Sequence, residues 1–338
     1  MKTPISMRFR QQGRTLIELI IAMTIGLVIV IGVSSLYISS SGISRTANQV
    51  STTEQAGQLA MLLIGESLKL AAYGEILGSD YAAQGQTLMD GPHLRGCTGS
   101  RFTDAFPAYV TPPAPQTPPD LLGCTLAAAG DSLYVRFQSR PVVAEMRTAE
   151  ANRNNITDCA GSANNQSQIL ESGTLRAGRG WTRNLVTNVF FVDPVTRELQ
   201  CENYGGGGAQ PLLRDVAEFR VFYRFDDAAR AAGANGVTNA APFGGSIRDA
   251  SYIKTLEGGA IDPWNYVVAV LVCMTITTDE QGTSATTSNN RASRCPNDAG
   301  EAETGLDLFT TTTDGRIRRT FSQVFTVRAR ATASPSLL

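Results

Sequence analysis

The stretch Gly13-Arg14-Thr15-Leu16-Ile17-Glu18-Leu19-Ile20-Ile21-Ala22-Met23-Thr24-Ile25-Gly26-Leu27-Val28-Ile29-Val30-Ile31-Gly32-Val33 decides the architecture of this chain. From Leu19 to Ser44 no side chain is charged. About 20 apolar residues, rising 1.5 Å each, cross a bilayer as a helix. Residues 1–13 carry Lys2, Arg8 and Arg10 and no acid. Basic residues ahead of a span stay on the cytoplasmic side, so the remainder of the chain is expected to face out. Two features separate this segment from a plain anchor. A secretory signal peptide is cut after its apolar stretch, whereas Gly13 precedes it, so cleavage there would keep the helix on the mature chain. Glu18 places a carboxylate at the start of the span, where such a group is costly and normally paired. The α-amino group freed at Arg14 would serve as its cation.

Glycine, a short Thr15-Leu16-Ile17-Glu18-Leu19 motif and an apolar helix together resemble the class III signal of type IV prepilins. The resemblance implies that a membrane prepilin peptidase cuts between Gly13 and Arg14 and N-methylates Arg14. It also implies that Glu18, fifth in the mature chain, pairs with the N-terminus of a neighbouring subunit during assembly. Where the family usually begins its mature chain with Phe, this chain has Arg14. The expected organisation is a leader at 1–13, a membrane and assembly helix at 14–75, and an extracytoplasmic head at 76–338.

Beyond the span, Ala56, Leu59, Leu63 and Leu70 recur at helical spacing, with Gln58, Glu66 and Lys69 off that stripe. The pattern predicts a continuing helix that lays this stripe on the head. Gly26, Gly32, Gly42, Gly57 and Gly65 each weaken a helix by about 1 kcal/mol against Ala. They mark either points of local bending or places of close packing. Gly74 and Gly78 suggest the helix end. Pro107, Pro112, Pro113, Pro115, Pro118 and Pro119 then read as a surface loop, with a docking segment as the alternative.

Strands are predicted where apolar residues alternate or run together. Leu133, Val135 and Phe137 alternate with Ser132, Tyr134 and Arg136, and Leu185–Val192 reads as buried. Phe219, Val221, Tyr223 and Phe225 alternate with Arg220, Phe222 and Arg224. Tyr266–Ile276 reads as a central strand. Thr320–Ala331 places Phe321, Phe325, Val327 and Ala329 opposite Arg328 and Arg330. Long loops, at 226–263 and 277–315, separate these strands where crossover helices would otherwise be. The expected class is therefore α+β: a long N-terminal hydrophobic helix packed on an antiparallel β-sheet head with long loops.

Six cysteines, Cys97, Cys124, Cys159, Cys201, Cys273 and Cys295, accompany a single histidine, His93. None has zinc-ligand spacing. Scattered and even in number, they fit disulfides in an oxidising compartment, with buried free thiols as the alternative. Fifteen connectivities are open; pairing of sequence neighbours, 97 with 124, 159 with 201 and 273 with 295, is the one expected here. With 338 residues and a net charge of −1, and without a basic stripe interleaved with aromatics, the chain does not read as a nucleic-acid binder. Nothing points to catalysis, a cofactor or a metal centre. His93 sits in a turn-like stretch and reads as a surface residue. Asp226, Asp227, Asp104 and Asp120 read as solvated loop charges. Gly205-Gly206-Gly207-Gly208 opens no predicted helix and lacks the Lys-Ser/Thr of a phosphate loop. Asn297, Asp298, Glu301, Glu303 and Asp307 cluster as a calcium site would, without its spacing, and read as solvated acids.

Three later stretches extend the resemblance. Leu213–Phe225, Trp264–Val272 and Arg318–Arg330 resemble strands of the PilW family of minor pilins. That family implies a low-abundance subunit that primes pilus assembly, supports twitching and attachment, and stays near the tip. Its implied partners are the prepilin peptidase, the major pilin, other minor pilins, a tip adhesin, the inner-membrane assembly platform and inner-membrane lipid. The implied location is the inner membrane with the head in the periplasm, then the pilus tip. A type II secretion pseudopilin of the GspJ kind shares leader, helix and β-rich head and is the nearest rival. A membrane-anchored periplasmic enzyme and an adhesin that binds through the loops 226–263 and 277–315 are more distant ones.

Overall fold

The computed structural model describes residues 15–71, 73, 93–102, 123–138, 159, 168–174, 180–203, 208–231, 245–258, 262–281, 290–305, 308–312 and 316–327. The leader with Gly13, Arg14, Gly74, Gly78, the proline run, Asp104, Asp120, Gly205 to Gly207, Asp307 and the residues from Arg328 onward lie outside them. By packing, the chain forms two units, Met1–Val50 and Ser51–Leu338, and the division falls inside the first helix.

That helix, α1, spans Leu16–Leu70. Thr15 starts it, its carbonyl accepting from the Glu18 and Leu19 amides. In its first part the few hydroxyls turn inward along the chain. Thr24, Ser35 and Ser41 donate to the carbonyls of Ile21, Gly32 and Ile38. Such back-bonding satisfies these three hydroxyls without a solvent partner.

The second unit contains two main antiparallel sheets and the rest of α1. The larger sheet holds β1 (Leu94–Cys97), β4 (Ser132–Gln138), β5 (Gln168–Thr174), β6 (Gly180–Val192), β7 (Leu199–Asn203) and β8 (Gln210–Leu213). Their order is β1-β4-β6-β7-β8, with β5 also on β6. A two-residue pair, β2 (Ser100–Arg101) with β3 (Leu126–Ala127), precedes β4. The smaller sheet runs β10-β9-β11-β14, from β9 (Val216–Phe225), β10 (Ser246–Arg248), β11 (Val267–Gln281) and β14 (Arg316–Thr326). The apolar run read as a central strand is β11, flanked by β9 and β14.

One core joins these layers. Ala60, Met61, Ile64 and Leu68 of α1 meet Leu133, Val135 and Phe190 of the larger sheet and Phe219, Val221, Val270, Val272 and Phe325 of the smaller. The distal faces are covered as well. On β4, Ser132, Tyr134 and Arg136, which alternate with Leu133, Val135 and Phe137, are also buried. Phe102, Cys97, Val189 and Phe191 close over Tyr134.

The regions read as loops carry structure. Between β9 and β11 lie α2 (Asp227–Ala231), β10 and α3 (Ala250–Lys254). Asp226 accepts from the Ala229 amide and is buried, so it is not a solvated loop charge, while Asp227 opens a short helix and pairs with Arg248 at 3.3 Å at the surface. After β11 come β12 (Asn290–Ser293), α4 (Ala299–Thr304) and β13 (Phe309–Thr312). α4 lays Ala302 and Ala299 on Phe222 and Leu271, the face of the smaller sheet turned away from α1. Composition hid these elements because each is only three to six residues long and is held by tertiary contacts.

Candidate functional site: the N-terminal helix and its seat on the head

In the first unit, the apolar face of α1 goes all the way round. Leu16, Ile17, Leu19, Ile20, Ile21, Leu27, Val28 and Ile31 are all exposed. A helix hydrophobic all round is buried in something other than water. α1 is long and apolar enough to cross a membrane. Glu18, in its first turn, is the acid of this segment, and no charged side chain follows before Arg45.

Within the second unit, Leu70 of the stripe read in the sequence packs against the core, but the rest of the seat is made by other residues. Leu59 and Leu63 are exposed, at 57% and 37%, and Leu62 at 54%. The face against the core is Gly57, Ala60, Met61, Ile64, Gly65, Ser67 and Leu68. The reason lies on β14. Phe321 and Phe325 project onto α1 where it has no side chain. A Cβ on Gly57 would lie 2.4 Å from Phe321 Cε2, and one on Gly65 would lie 2.4 Å from Phe325 Cε1. The glycines are therefore points of close packing. The helix presents Gly57 and Gly65 to two rings and turns Leu59, Leu62 and Leu63 away.

A polar bracket fixes the seat. Asn188 on β6 donates from Nδ2 to Ser67 Oγ at 3.0 Å, and Ser67 donates on to the Leu63 carbonyl. The Asn188 Oδ1 accepts from the Cys159 amide at 3.1 Å. Near the start of this half, Glu54 pairs with Arg319 of β14 at 3.6 Å. Nothing in the sequence marked Asn188 or Ser67, because polar residues on a strand and a helix become partners only once the layers stack.

Three disulfides staple the head: Cys97–Cys124, Cys159–Cys201 and Cys273–Cys295, with Cα separations of 5.6, 6.1 and 5.7 Å. The third holds the segment after β11 to the smaller sheet. Beside it, Glu218 Oε2 accepts from the Cys295 amide and from Thr275 Oγ1, each at 2.8 Å. Two acids of the 297–307 stretch, Asp298 and Glu301, hold the segment itself together. Glu301 takes a forked pair of bonds from Arg294 at 2.8 and 2.9 Å and a third from the Asn297 amide. Asp298 caps α4 through the Glu301 amide. Among the described residues no cluster of His, Cys, Asp and Glu could hold a metal.

The Arg294 fork holds the Glu301 carboxyl at about 2, well below its ordinary 4.5. With the value depressed on folding, the clamp is complete above pH 4.5 and is lost as pH falls through about 2. An NMR pH titration of Glu301 is expected to show a midpoint near 2. In Arg294→Met the midpoint should climb toward the ordinary value. An unchanged midpoint in the variant would remove Arg294 as the cause.

His93 is the clearest departure from the sequence reading. It is 1% exposed, not a surface residue. Its carbonyl accepts from the Arg136 amide. Trp264 is core, as expected, with Tyr223 edge-on at 5.0 Å. Arg95 lies over its ring at 5.6 Å and pairs with Asp262 at 2.5 Å, while the indole N–H donates to Glu257.

Asp131 joins the two sheets. It leads into β4, and its amide donates to the Phe219 carbonyl of β9. Its carboxylate accepts from the Gly99 and Val221 amides, each at 2.9 Å, and faces Arg220 at 3.6 Å. Arg220 also donates to the carbonyl of Asn297.

The match to a family model falls on the N-terminal segment. Residues 8–34 match the family model described as a prokaryotic N-terminal methylation motif. No curated protein matches the chain in sequence. Among solved structures, a type IV-like pilin of Thermus thermophilus aligns with a TM-score of 0.37 and 12% identity, over 82% of this chain and 97% of that one.

Proposed function

We propose that this chain is a minor pilin of a type IV pilus, a structural subunit that is processed at its N-terminus and assembled through its apolar helix. The observation that carries the reading is the methylation motif at residues 8–34, continuous with an uncharged helical surface that has Glu18 at its head. In this reading prepilin peptidase cuts between Gly13 and Arg14 and methylates Arg14. The chain then waits as a single-span subunit with its head in the periplasm. During assembly the helix exchanges lipid for the helices of other minor pilins and the major pilin, beneath a tip adhesin. Glu18 compensates the terminal charge of a neighbour. A buried carboxylate without its partner is heavily penalised, so only a register that supplies the partner is accepted.

Gly13→Val is expected to remain at full precursor length on an immunoblot. Glu18→Ala should be shortened normally yet be depleted by an order of magnitude or more from sheared pili. Normal incorporation of that variant would sink the charge pairing; a shortened Gly13→Val would sink the cleavage position.

The function itself is tested by an in-frame deletion complemented in trans, scoring surface pili, twitching and exoprotein secretion in one strain. Loss of pili with intact secretion is the expected result. Intact pili with lost secretion would move the chain to a type II secretion pseudopilus and overturn the pilus assignment.

A further inference from the structure

The three disulfides sit in different electrostatic surroundings. Cys97 is fully buried at the end of β1, and Cys124, just before β3, is half-buried. Lys254, at the end of α3, directs its ammonium at Cys124 Sγ from 3.1 Å. α3 is held there by the Ser251 amide, which donates to Thr98 Oγ1 at 3.2 Å, next to Cys97 in sequence. The Cys273–Cys295 bond has the opposite neighbour. The Glu218 carboxylate binds the Cys295 amide, and Thr275 Oγ1, which also donates to that carboxylate, lies 3.6 Å from Cys295 Sγ. Among the described residues, the contacts at Cys159–Cys201 are neutral: the Asn188 side-chain oxygen on the Cys159 amide and the Glu202 carbonyl near Cys201 Sγ.

A thiolate is stabilised beside an ammonium and disfavoured beside a carboxylate. Stabilising the reduced form makes a disulfide easier to open, and a better leaving thiolate leaves faster. We infer that Cys97–Cys124 is the exchange-labile bond of the three, and that Cys124, held against Lys254, is the sulfur at which a dithiol oxidoreductase makes and unmakes it.

The step is a two-electron exchange with a dithiol. One thiolate of the reductant attacks Sγ of the half-buried Cys124, Cys97 being fully buried. The S–S bond breaks, its electron pair goes to Cys97 Sγ, and that sulfur takes a proton. The reductant's second thiolate then attacks its own sulfur in the mixed disulfide. The reductant closes its disulfide and Cys124 leaves as a thiolate beside Lys254. Formation runs in reverse: the Cys124 thiolate attacks the oxidant's disulfide, and Cys97 resolves the mixed disulfide. The head therefore has a defined entry point for oxidation, and its most reversible staple ties β1 to the strand pair β2–β3. This inference concerns the head alone and does not depend on the pilus assignment.

The test equilibrates the full chain, solubilised in detergent, with graded mixtures of reduced and oxidised dithiothreitol. After an acid quench the free thiols are alkylated and each pair is quantified by peptide mass spectrometry. Cys97 and Cys124 should be labelled under the mildest conditions and Cys273 with Cys295 under the harshest. Lys254→Met should require about a tenfold higher thiol-to-disulfide ratio to open Cys97–Cys124, about 30 mV for this couple. Lys254→Arg should stay near the wild-type value. Glu218→Gln should ease the opening of Cys273–Cys295 and leave Cys97–Cys124 alone. If Cys273–Cys295 opens first, or all three open together, the inference fails on the wild-type chain, whether or not the variants fold. A Lys254→Met midpoint within twofold of wild type would overturn the role of the lysine.

Discussion

Gly65→Leu is expected to lower the melting temperature of the head by about 4–8 °C, a net loss of about 2 kcal/mol. The side chain has nowhere to go. Its first carbon alone would lie 2.4 Å from Phe325 Cε1, and Phe325 is 5% exposed, so its ring cannot swing into solvent. Overpacking of this kind costs on the order of 3 kcal/mol. A helix interior prefers leucine to glycine by somewhat under about 1 kcal/mol, which offsets only part of the clash. The same change at Gly57 should cost less, although the geometry is equally tight, because Phe321 is only partly buried and can give way. Thermal unfolding of the full chain, followed by near-ultraviolet circular dichroism, measures both. A double-mutant cycle with Phe325→Ala gives the decisive comparison. If ring and glycine are complementary, Gly65→Leu should cost at least about 1 kcal/mol less in the Phe325→Ala background than in the wild type. Strict additivity would mean that the notch does not hold the helix.

Asp131→Ala should be the more damaging substitution, at about 3–5 kcal/mol. It leaves the buried Val221 amide and the Gly99 amide without their acceptor and strips Arg220 of its carboxylate. Each orphaned donor costs about 1–3 kcal/mol. The pH dependence separates this acid from Glu301. Burial raises the Asp131 carboxyl above its ordinary 3.8, despite the opposing pull of Arg220 and the two amides. The folded state therefore holds the proton more tightly than the unfolded chain. Its contribution is fully present below pH 3.8 and declines as pH rises through the folded value. In denaturant titrations the stability gap between wild type and Asp131→Asn should accordingly widen on going from neutral to acidic pH. A gap that narrows toward acid would show that the native carboxyl titrates below its ordinary value, and that burial is not the dominant influence.

Clamp and bracket divide the work within the head. Arg220 contacts both Asp131, at the junction of the two sheets, and the carbonyl of Asn297, where the segment after β11 crosses the smaller sheet. Arg294 and Glu301 then close that segment on itself. The region from 290 to 312 read as a surface loop because its apolar content is small. Its described residues are held by charge-assisted hydrogen bonds, an Asp298 cap and the Cys273–Cys295 bond. Periodicity does not register interactions of that kind.

How far the sequence could be read differs between elements for physical reasons. The N-terminal helix was legible because a lipid-compatible surface must be apolar on every side, so an uncharged, largely apolar run defines it by composition. The central strand β11 was legible for the same reason, since an almost unbroken β-branched run can only be buried. Alternation placed Phe219, Val221 and Tyr223 correctly on the core face of β9. It did not show that on β4 the second face is also covered, with Ser132, Tyr134 and Arg136 buried. A polar residue on a strand announces its partner only when the partner layer is known.

The sequence by itself determined the long apolar helix with Glu18 at its start, the methylation motif across residues 8–34 and the antiparallel strands of the head. These depend on periodicity and local composition, which are properties of a segment. Tertiary structure alone decided which face of α1 meets the head. Hydrophobicity favoured Leu59 and Leu63, but the rings of Phe321 and Phe325 need the space above Gly57 and Gly65. It also decided that His93 is interior, that Asn188 reaches Ser67, and that Lys254 stands beside Cys124. Each of these joins residues far apart in the chain. Close packing and hydrogen bonding between layers select such pairs by shape and polarity at a distance of a few ångströms, and no spacing within a single segment records that choice.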